Sequence, residues 1–381
     1  SEERVIADQT LQKAQSIVQS IDGAKLPVMA ARPSSAARQT RMFIRGNWLD
    51  RGELVLPRIP KVFSEQLDAP NRDVENRLEL ARWLVGPGNP MAARVWANRI
   101  WAQLFGRGLV ETQEDFGSSG LPPSHPELLD HLATKIQFHD RWHLKPFLRD
   151  LVLSSTFRQD NVTTKAQLER DFTNRYLARG PRTRLKAEMI RDQALAVSGL
   201  LDQAMGGPSV MPPQPDGIWQ TVYSGSKWKT ADGADRFRRA VYTYWRRTSP
   251  YPSFLMFDAP TRDLCSARRI ATNTPLQALV TLNDPVYIEC ANALARRAMD
   301  VCGEDHLDAS IAWMFTAATQ QAISDNEAGE LRALYDDLLR DAISLGDVGQ
   351  GTSDSDLEST STNCMAIVAN IILNLDKTLT K

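Results

Sequence analysis

Apolar residues recur three and four positions apart through most of the chain, the spacing of one face of a helix. In "ENRLELARWLV" this places Leu78, Leu80, Ala81, Trp83 and Leu84 on a broad apolar face, and the Gly-Asn-Pro beyond it predicts a stop. The next helix begins with Asn89 as N-cap and Pro90 at the first helical position, where the missing N–H costs nothing. It offers Val95, Ile100, Trp101, Leu104 and Phe105 for burial before Gly-Arg-Gly ends it. The same period returns over 127–138, 144–159, 184–207, 274–282, 284–302, 306–321, 328–343 and 364–379. Ser124 with Glu127, Thr274 with Gln277, and Ser324 with Glu327 each read as a capping box. Asp284 before Pro285 reads as a further cap.

Two stretches lack that period. Residues 24–60 read as an extended arm with two short strands, "RMFIRG" and "ELVLP". After "GGPSVMPPQPDG", where proline and glycine forbid helix, "IWQTVYSG" and "RRAVYTYWRRT" are rich in β-branched and aromatic residues and predict a hairpin or two edge strands. The polar, acidic run 344–362 reads as a flexible loop. The expected fold is therefore mainly α: a multi-helix globular domain with a small β hairpin or edge-strand insertion and an extended N-terminal arm. Its expected divisions are a helix and arm (1–75), a helical subdomain (76–205), a Pro/Gly-rich loop with the β insertion (206–257), a second helical subdomain (258–345), and an acidic loop with a terminal helix (346–381).

Composition narrows function by exclusion. With 42% hydrophobic and 24% charged residues the 381-residue chain can bury a large core, and no apolar run is long enough to span a membrane. A formal charge of −1 gives no global attraction to nucleic acid, so no nucleic-acid partner is expected. The opening "SEERVIADQTLQKAQSIVQSI" is a charged helix former rather than an export signal. Its start without methionine implies a removed signal or the back part of a longer product. Cys265, Cys290, Cys302 and Cys364 show no CxxC or CxxCH spacing, so no cofactor, and in particular no c-type haem, is expected on this chain. Lone buried thiols are the preferred reading for them, with disulfides the alternative in an exported chain.

Candidate chemistry is sparse. His125, His131, His139 and His143 cluster, but no glutamate completes an HExxH pattern, and no metal site is expected. GxSxG, GxGxxG and P-loop patterns do not occur. What stands out is the stretch from Arg236 to Arg269, where eight arginines interleave with Phe237, Tyr242, Tyr244 and Trp245. Arginine with aromatics can bind a sugar acid, a sulfated glycan, a phosphate or single-stranded nucleic acid. The preferred reading is that these arginines pair internally, or across subunits, with the acidic stretch Asp325 to Glu358. Capping accounts for Thr274 to Pro285 but not for Arg268, Arg269 and Asn273 just ahead of them. The candidate ligand site is where those side chains meet Asp258 and Arg262.

The segments "NPMAARVWANRIWAQLFGRGLVETQEDFGSSGLPPSHPELLDHLA", "FLRDLVLSSTFRQ", "RLKAEMIRDQALAVSGLL" and "YTYWRRTSPYPSFLMFDAPTRDLCSARRIATNTPLQALVTLNDPVYIE" occur in this order. Together they resemble the planctomycete-type C-terminal domain of unknown function that accompanies cytochrome-c-like domains in large exported proteins. The resemblance implies an extracytoplasmic, periplasmic or secreted, setting and a haem on a partner domain or subunit. It carries over no catalytic residue. The first functional expectation is a non-catalytic binding or scaffold module working with a cytochrome-c-like partner, with an acidic glycan as a possible ligand and an oligomer as a possible state. The second is a carbohydrate-acting oxidoreductase or hydrolase passing electrons to that haem, drawing an acid or base from Asp115, Asp258, Asp263 or His125. Nucleic-acid binding ranks last.

Overall fold

The computed structural model describes residues 2–23, 38–60, 62–63, 76–215, 217, 227–303, 306–344 and 354–381. The expected strand "IWQTVYSG" and residues 345–353 of the expected acidic loop lie outside them. The described chain is mainly helical and forms two compact units, Ser1–Gly88 and Asn89–Lys381.

In the N-terminal unit, helix α1 (Glu2–Gly23) precedes an antiparallel hairpin of β1 (Thr40–Phe43) and β2 (Arg51–Val55). These are the two strands expected in the arm. Thr40 pairs with Val55 and Phe43 with Arg51, with a shift of register between Arg41 and Phe43. Helix α2 (Arg77–Val85) starts on Asn76, whose side chain accepts from the N–H groups of Leu78 and Glu79 at 3.0 and 3.1 Å. Of the apolar face expected on α2, Leu78, Leu80, Ala81 and Leu84 are exposed, and Trp83 is half-buried with its ring centre 5.8 Å from that of Phe63.

The second unit holds two apolar cores. The smaller is built by α3 (Pro90–Phe105), α4 (Pro126–Thr134) and α5 (Leu144–Leu153) around Ile100, Trp101, Leu132 and Phe147. Asn89 caps α3 as expected, accepting from Met91 and Ala92. Helix α4 departs from its expected capping box. Pro126 takes the first helical position, so His125 becomes the cap residue, and the N–H of Ser124 goes to Leu109 O instead. Between α4 and α5, Lys135–His139 forms a π turn. Asn98, fully buried on α3, donates to Val110 O at 2.9 Å and accepts from Val110 N–H at 2.8 Å, so one side-chain amide replaces a strand partner for the loop after the helix. Only glycine fits at 108, because a Cβ there would sit 2.5 Å from Val110 O.

The larger core is made by α6 (Ala187–Ser198), α7 (Pro275–Asn283), α8 (Pro285–Cys302), α9 (Leu307–Thr319), α10 (Asp325–Ser344) and α11 (Asp354–Asn374). Helix α8 is central and packs on α6, α9 and α11. It buries Val286, Tyr287, Cys290, Ala291, Leu294, Ala295 and Ala298, a full helical stripe. Burying each large side chain of such a stripe is worth about 1.5–3 kcal/mol. Asp284 caps it, accepting from Val286 N–H at 3.0 Å. Ser324 and Glu327 form their expected box at the start of α10. Helix α11 begins inside the run expected to be a loop.

The segment "RRAVYTYWRRT" does not form the expected hairpin. It makes single bridges, Asp202 with Arg238 and Val210 with Thr243, around a 3-10 turn at Ala240–Tyr242. The reason is Arg191 of α6, 1% exposed, which donates to Arg238 O at 2.7 Å and Arg236 O at 2.8 Å. A buried guanidinium thus takes the carbonyls that a neighbouring strand would have used. Tyr251 and Phe254, just beyond, enter the larger core.

Candidate functional site

"RGPRTRLK", Arg179 to Lys186, carries four cations on an extended path between the two cores. Pro181 biases Gly180 before it away from helical conformation, and the segment's backbone is held from outside. Gly180 N–H donates to Asp160 O at 2.8 Å. Thr183 N–H reaches Lys381 O at 2.6 Å, Lys381 N–H returns to Thr183 O at 2.9 Å, and Leu185 N–H reaches Leu379 O at 2.8 Å. Gly106, the left-handed cap of α3, lets the segment approach: a Cβ there would lie 2.3 Å from Thr183 Cγ2.

A cleft of about 570 Å³ opens along this segment. Arg179, Arg182, Arg184 and Lys186 line one side; Arg107 enters from the end of α3, and Arg268 and Arg269 from the approach to α7. Asp258 is the one carboxylate residue among the described residues of the lining. A shallower hollow of about 390 Å³ shares Arg107, Arg268 and Arg269, adds the carboxylate of Glu111, and extends the groove past Gly108 and Ile270.

Carboxylates behind the lining hold several of these cations in place. Arg269 donates to both oxygens of Glu188 at 2.6 and 2.9 Å, and Arg268 to Glu114 at 3.0 Å and Glu111 O at 3.2 Å. Arg107 pairs with Glu111, and Arg182 with Asp376. Arg179 instead donates to the carbonyls of Asp171 and Phe172, each at 2.9 Å. Lys186 donates to the side-chain oxygen of Gln103. Burial, and then the charge of Arg269, hold the Lys186 amine below the usual lysine range, with Glu188 opposing. Burial pushes Glu188 up, yet its two bonds from Arg269 carry it below the usual carboxylate range. Cations held this way keep their charge and geometry without moving to meet an anion.

The floor adds two amides with one pattern. Gln277, 1% exposed, donates from Nε2 to Asp258 at 3.3 Å and Thr272 Oγ1 at 3.1 Å, while its buried Oε1 has no protein donor. Asn174 donates to Arg179 O at 2.9 Å, and its buried Oδ1 also lacks a protein donor. Arg184 Nε is a buried donor without a protein acceptor. Each such group costs about 1–3 kcal/mol in a protein interior.

Of the five residues expected to form a site, Asp258, Arg268 and Arg269 line this cleft, and Arg262 and Asn273 lie outside its lining. Asp258 has a left-handed backbone, φ 60°, and accepts from Thr272 N–H at 2.7 Å and Thr272 Oγ1 at 2.9 Å. Arg262, also left-handed, lays its guanidinium 4.5 Å from the Trp245 ring centre. Asn273 is exposed. Asp115, Asp263 and His125 are not in the lining either. Asp115 closes a turn onto Gly117 N–H, Asp263 is exposed, and His125 meets Ser124.

The arginine stretch pairs internally, but its partners differ from those expected. Arg236 meets Glu289 at 2.9 Å and Arg239 meets Asp192 at 3.4 Å, beside the Glu188 and Glu114 pairs above. Among the described residues the acidic stretch holds other bases: Asp336 pairs with Arg332, Asp337 with Arg340 and Glu327 with Lys377. All four cysteines are free thiols; Cys290 and Cys364 are buried and Cys265 is exposed. Among the described residues no three His, Cys, Asp or Glu side chains group as metal ligands, and no helix is long and apolar enough to cross a membrane.

Sequence reasoning passed over the Arg179–Lys186 wall and Gln277. The signal for the first was a cation at every second position of Arg182, Arg184 and Lys186, which on an extended segment share a face. Gln277 was read as half of a capping box. Thr274 makes no side-chain cap, however, and the Gln277 side chain turns to Asp258.

The molecule is thus a helical domain with a basic cleft set between its two cores. Residues 76–335, more than half of the chain, match PSD1, a protein of unknown function (DUF1553), and the chain belongs to that family. No curated protein and no solved structure matches it.

Proposed function

We propose that this domain is a non-catalytic binding module that takes a polyanionic ligand in the basic cleft. The observation carrying this reading is that, among the described residues of the lining, seven are cationic against one carboxylate, Arg107, Arg182, Arg268 and Arg269 being ion-paired with carboxylates outside that lining, on a chain whose formal charge is −1. Charge gathered in a cleft focuses the field and draws anions that the whole surface would not attract. Asp258, the one acid among the described residues of the lining, has its oxygens engaged by Thr272 and Gln277, as suits an anchored acceptor.

The setting we propose is extracytoplasmic, beside a cytochrome-c-like domain or subunit, and the ordered motif set between Asn89 and Glu289 supports it by resemblance. Haem absorption co-purifying with the native chain is the expected result; native material free of any haem protein overturns the partnership.

The cleft is tested by titrating the protein with dextran sulfate at low and high salt. Saturable binding that weakens as salt rises, and that drops at least tenfold in an Arg182→Ala/Arg268→Ala variant, is expected. Binding that is absent at low salt, or indifferent to that variant, overturns the reading.

A further inference from the structure

The cleft's unmet hydrogen-bonding capacity describes a ligand more particular than a string of negative charges. We propose that the ligand is an acidic carbohydrate: a ring bearing several hydroxyls together with a carboxylate or sulfate. This rests on the reading of the cleft as a polyanion site.

Two kinds of demand meet in the same lining. Arg184 Nε is a donor without an acceptor, and the guanidinium and ammonium groups around it favour an anionic oxygen. Gln277 Oε1 and Asn174 Oδ1 are acceptors without donors, and a sulfate, a carboxylate or a fully ionised phosphate has no hydrogen to give them. Their amide nitrogens are committed, Gln277 to Asp258 and Thr272, Asn174 to Arg179 O. Turning the Gln277 amide over would set its oxygen against the Asp258 carboxylate, so the acceptor orientation is fixed. Both oxygens are buried within residues of the lining, so meeting a ligand takes a shift of that lining. Asp258 supplies another acceptor on the Gln277 side. A ligand answering both demands carries neutral O–H donors beside its charge, which is the chemistry of a uronate or a sulfated sugar. Phe172, 79% exposed, also lines the cleft and gives it a flat apolar face of the kind that meets sugar C–H groups.

The test compares four polymers on the wild-type chain by calorimetry at fixed salt: oligogalacturonate, dextran sulfate, unsulfated dextran, and polyvinyl sulfonate as a polyanion without hydroxyls. One or both acidic carbohydrates binding at least tenfold tighter than polyvinyl sulfonate, with unsulfated dextran weak, is expected; which one binds identifies carboxylate or sulfate as the charged group. Gln277→Leu should erase that preference. Equal binding of polyvinyl sulfonate and the carbohydrates by the wild-type chain overturns this inference and leaves the polyanion cleft standing. No binding of any polyanion overturns both. The polymer comparison needs no variant, so it holds even if Gln277→Leu folds poorly.

Discussion

Arg269 closes both ends of its guanidinium on Glu188, at 2.6 and 2.9 Å, directly behind the cleft lining. The pair fixes the cation but also offsets its charge. Glu188→Gln removes one negative charge while keeping an acceptor, so the cleft becomes more positive. Anion affinity should rise about three- to tenfold at low salt, since an unscreened partly buried charge nearby is worth about 1 kcal/mol. A titration showing weaker binding in this variant would mean that the carboxylate serves the site by position rather than opposing it by charge.

Lys186 makes the cleft sensitive to alkaline pH. Burial and Arg269 depress its pKa in the free protein, and a bound anion favours the charged amine and raises it. The bound form therefore holds the proton more tightly, and affinity falls as pH rises through the free-protein value, levelling above the bound one. The fall should begin below the ordinary lysine range and vanish in Lys186→Met, as binding curves from pH 7 to 10 would show.

Asp284 gives folding stability its own pH dependence. Burial lifts this cap carboxyl to about 6, with Val286 N–H and Arg191 opposing. Its folded pKa lies above the unfolded value near 3.8, so between these values the native state binds more protons. Stability from this group is fully present below the unfolded value and is lost as pH rises through 6. Asp284→Asn keeps an amide cap and removes the titration, so it should gain roughly 1–3 kcal/mol on wild type between pH 4 and 7. Denaturant midpoints across that range check it.

Asn98 predicts a local failure. Asn98→Ala leaves Val110 N–H and C=O buried without partners and should cost about 2–4 kcal/mol. Gly108→Ala drives a Cβ into Val110 O and the Asn98 amide and should destabilise by about 1–3 kcal/mol. Combined, the two should cost less than their sum, because they disrupt one contact.

Much of this fold is written in local rules. The periods of α3, α5, α8 and α9, the caps Asn89 and Asp284 and the box of Ser324 and Glu327 depend on neighbours in sequence, and they form as the spacing requires. The β insertion and the charge pairing depend on distant groups. No local pattern announces that Arg191 will take the carbonyls of Arg236 and Arg238, or that Glu114 and Glu188 will outcompete the acidic stretch for Arg268 and Arg269. The site was half legible for the same reason. Asp258, Arg268 and Arg269 were visible as polar residues left over once capping was explained. Gln277 was hidden because a capping box already gave it a role.

The last three residues of the described chain, Leu379 to Lys381, pair with Thr183 and Leu185, and Asp376 holds Arg182. The cationic wall is thereby fastened at one edge by the segment 376–381, more than 190 positions away along the chain. Whatever grips that wall must in return slow the peeling of that segment, since coupling between two events is reciprocal. Amide exchange at Leu185 and Lys381 would then report ligand occupancy from residues whose side chains need never touch the ligand.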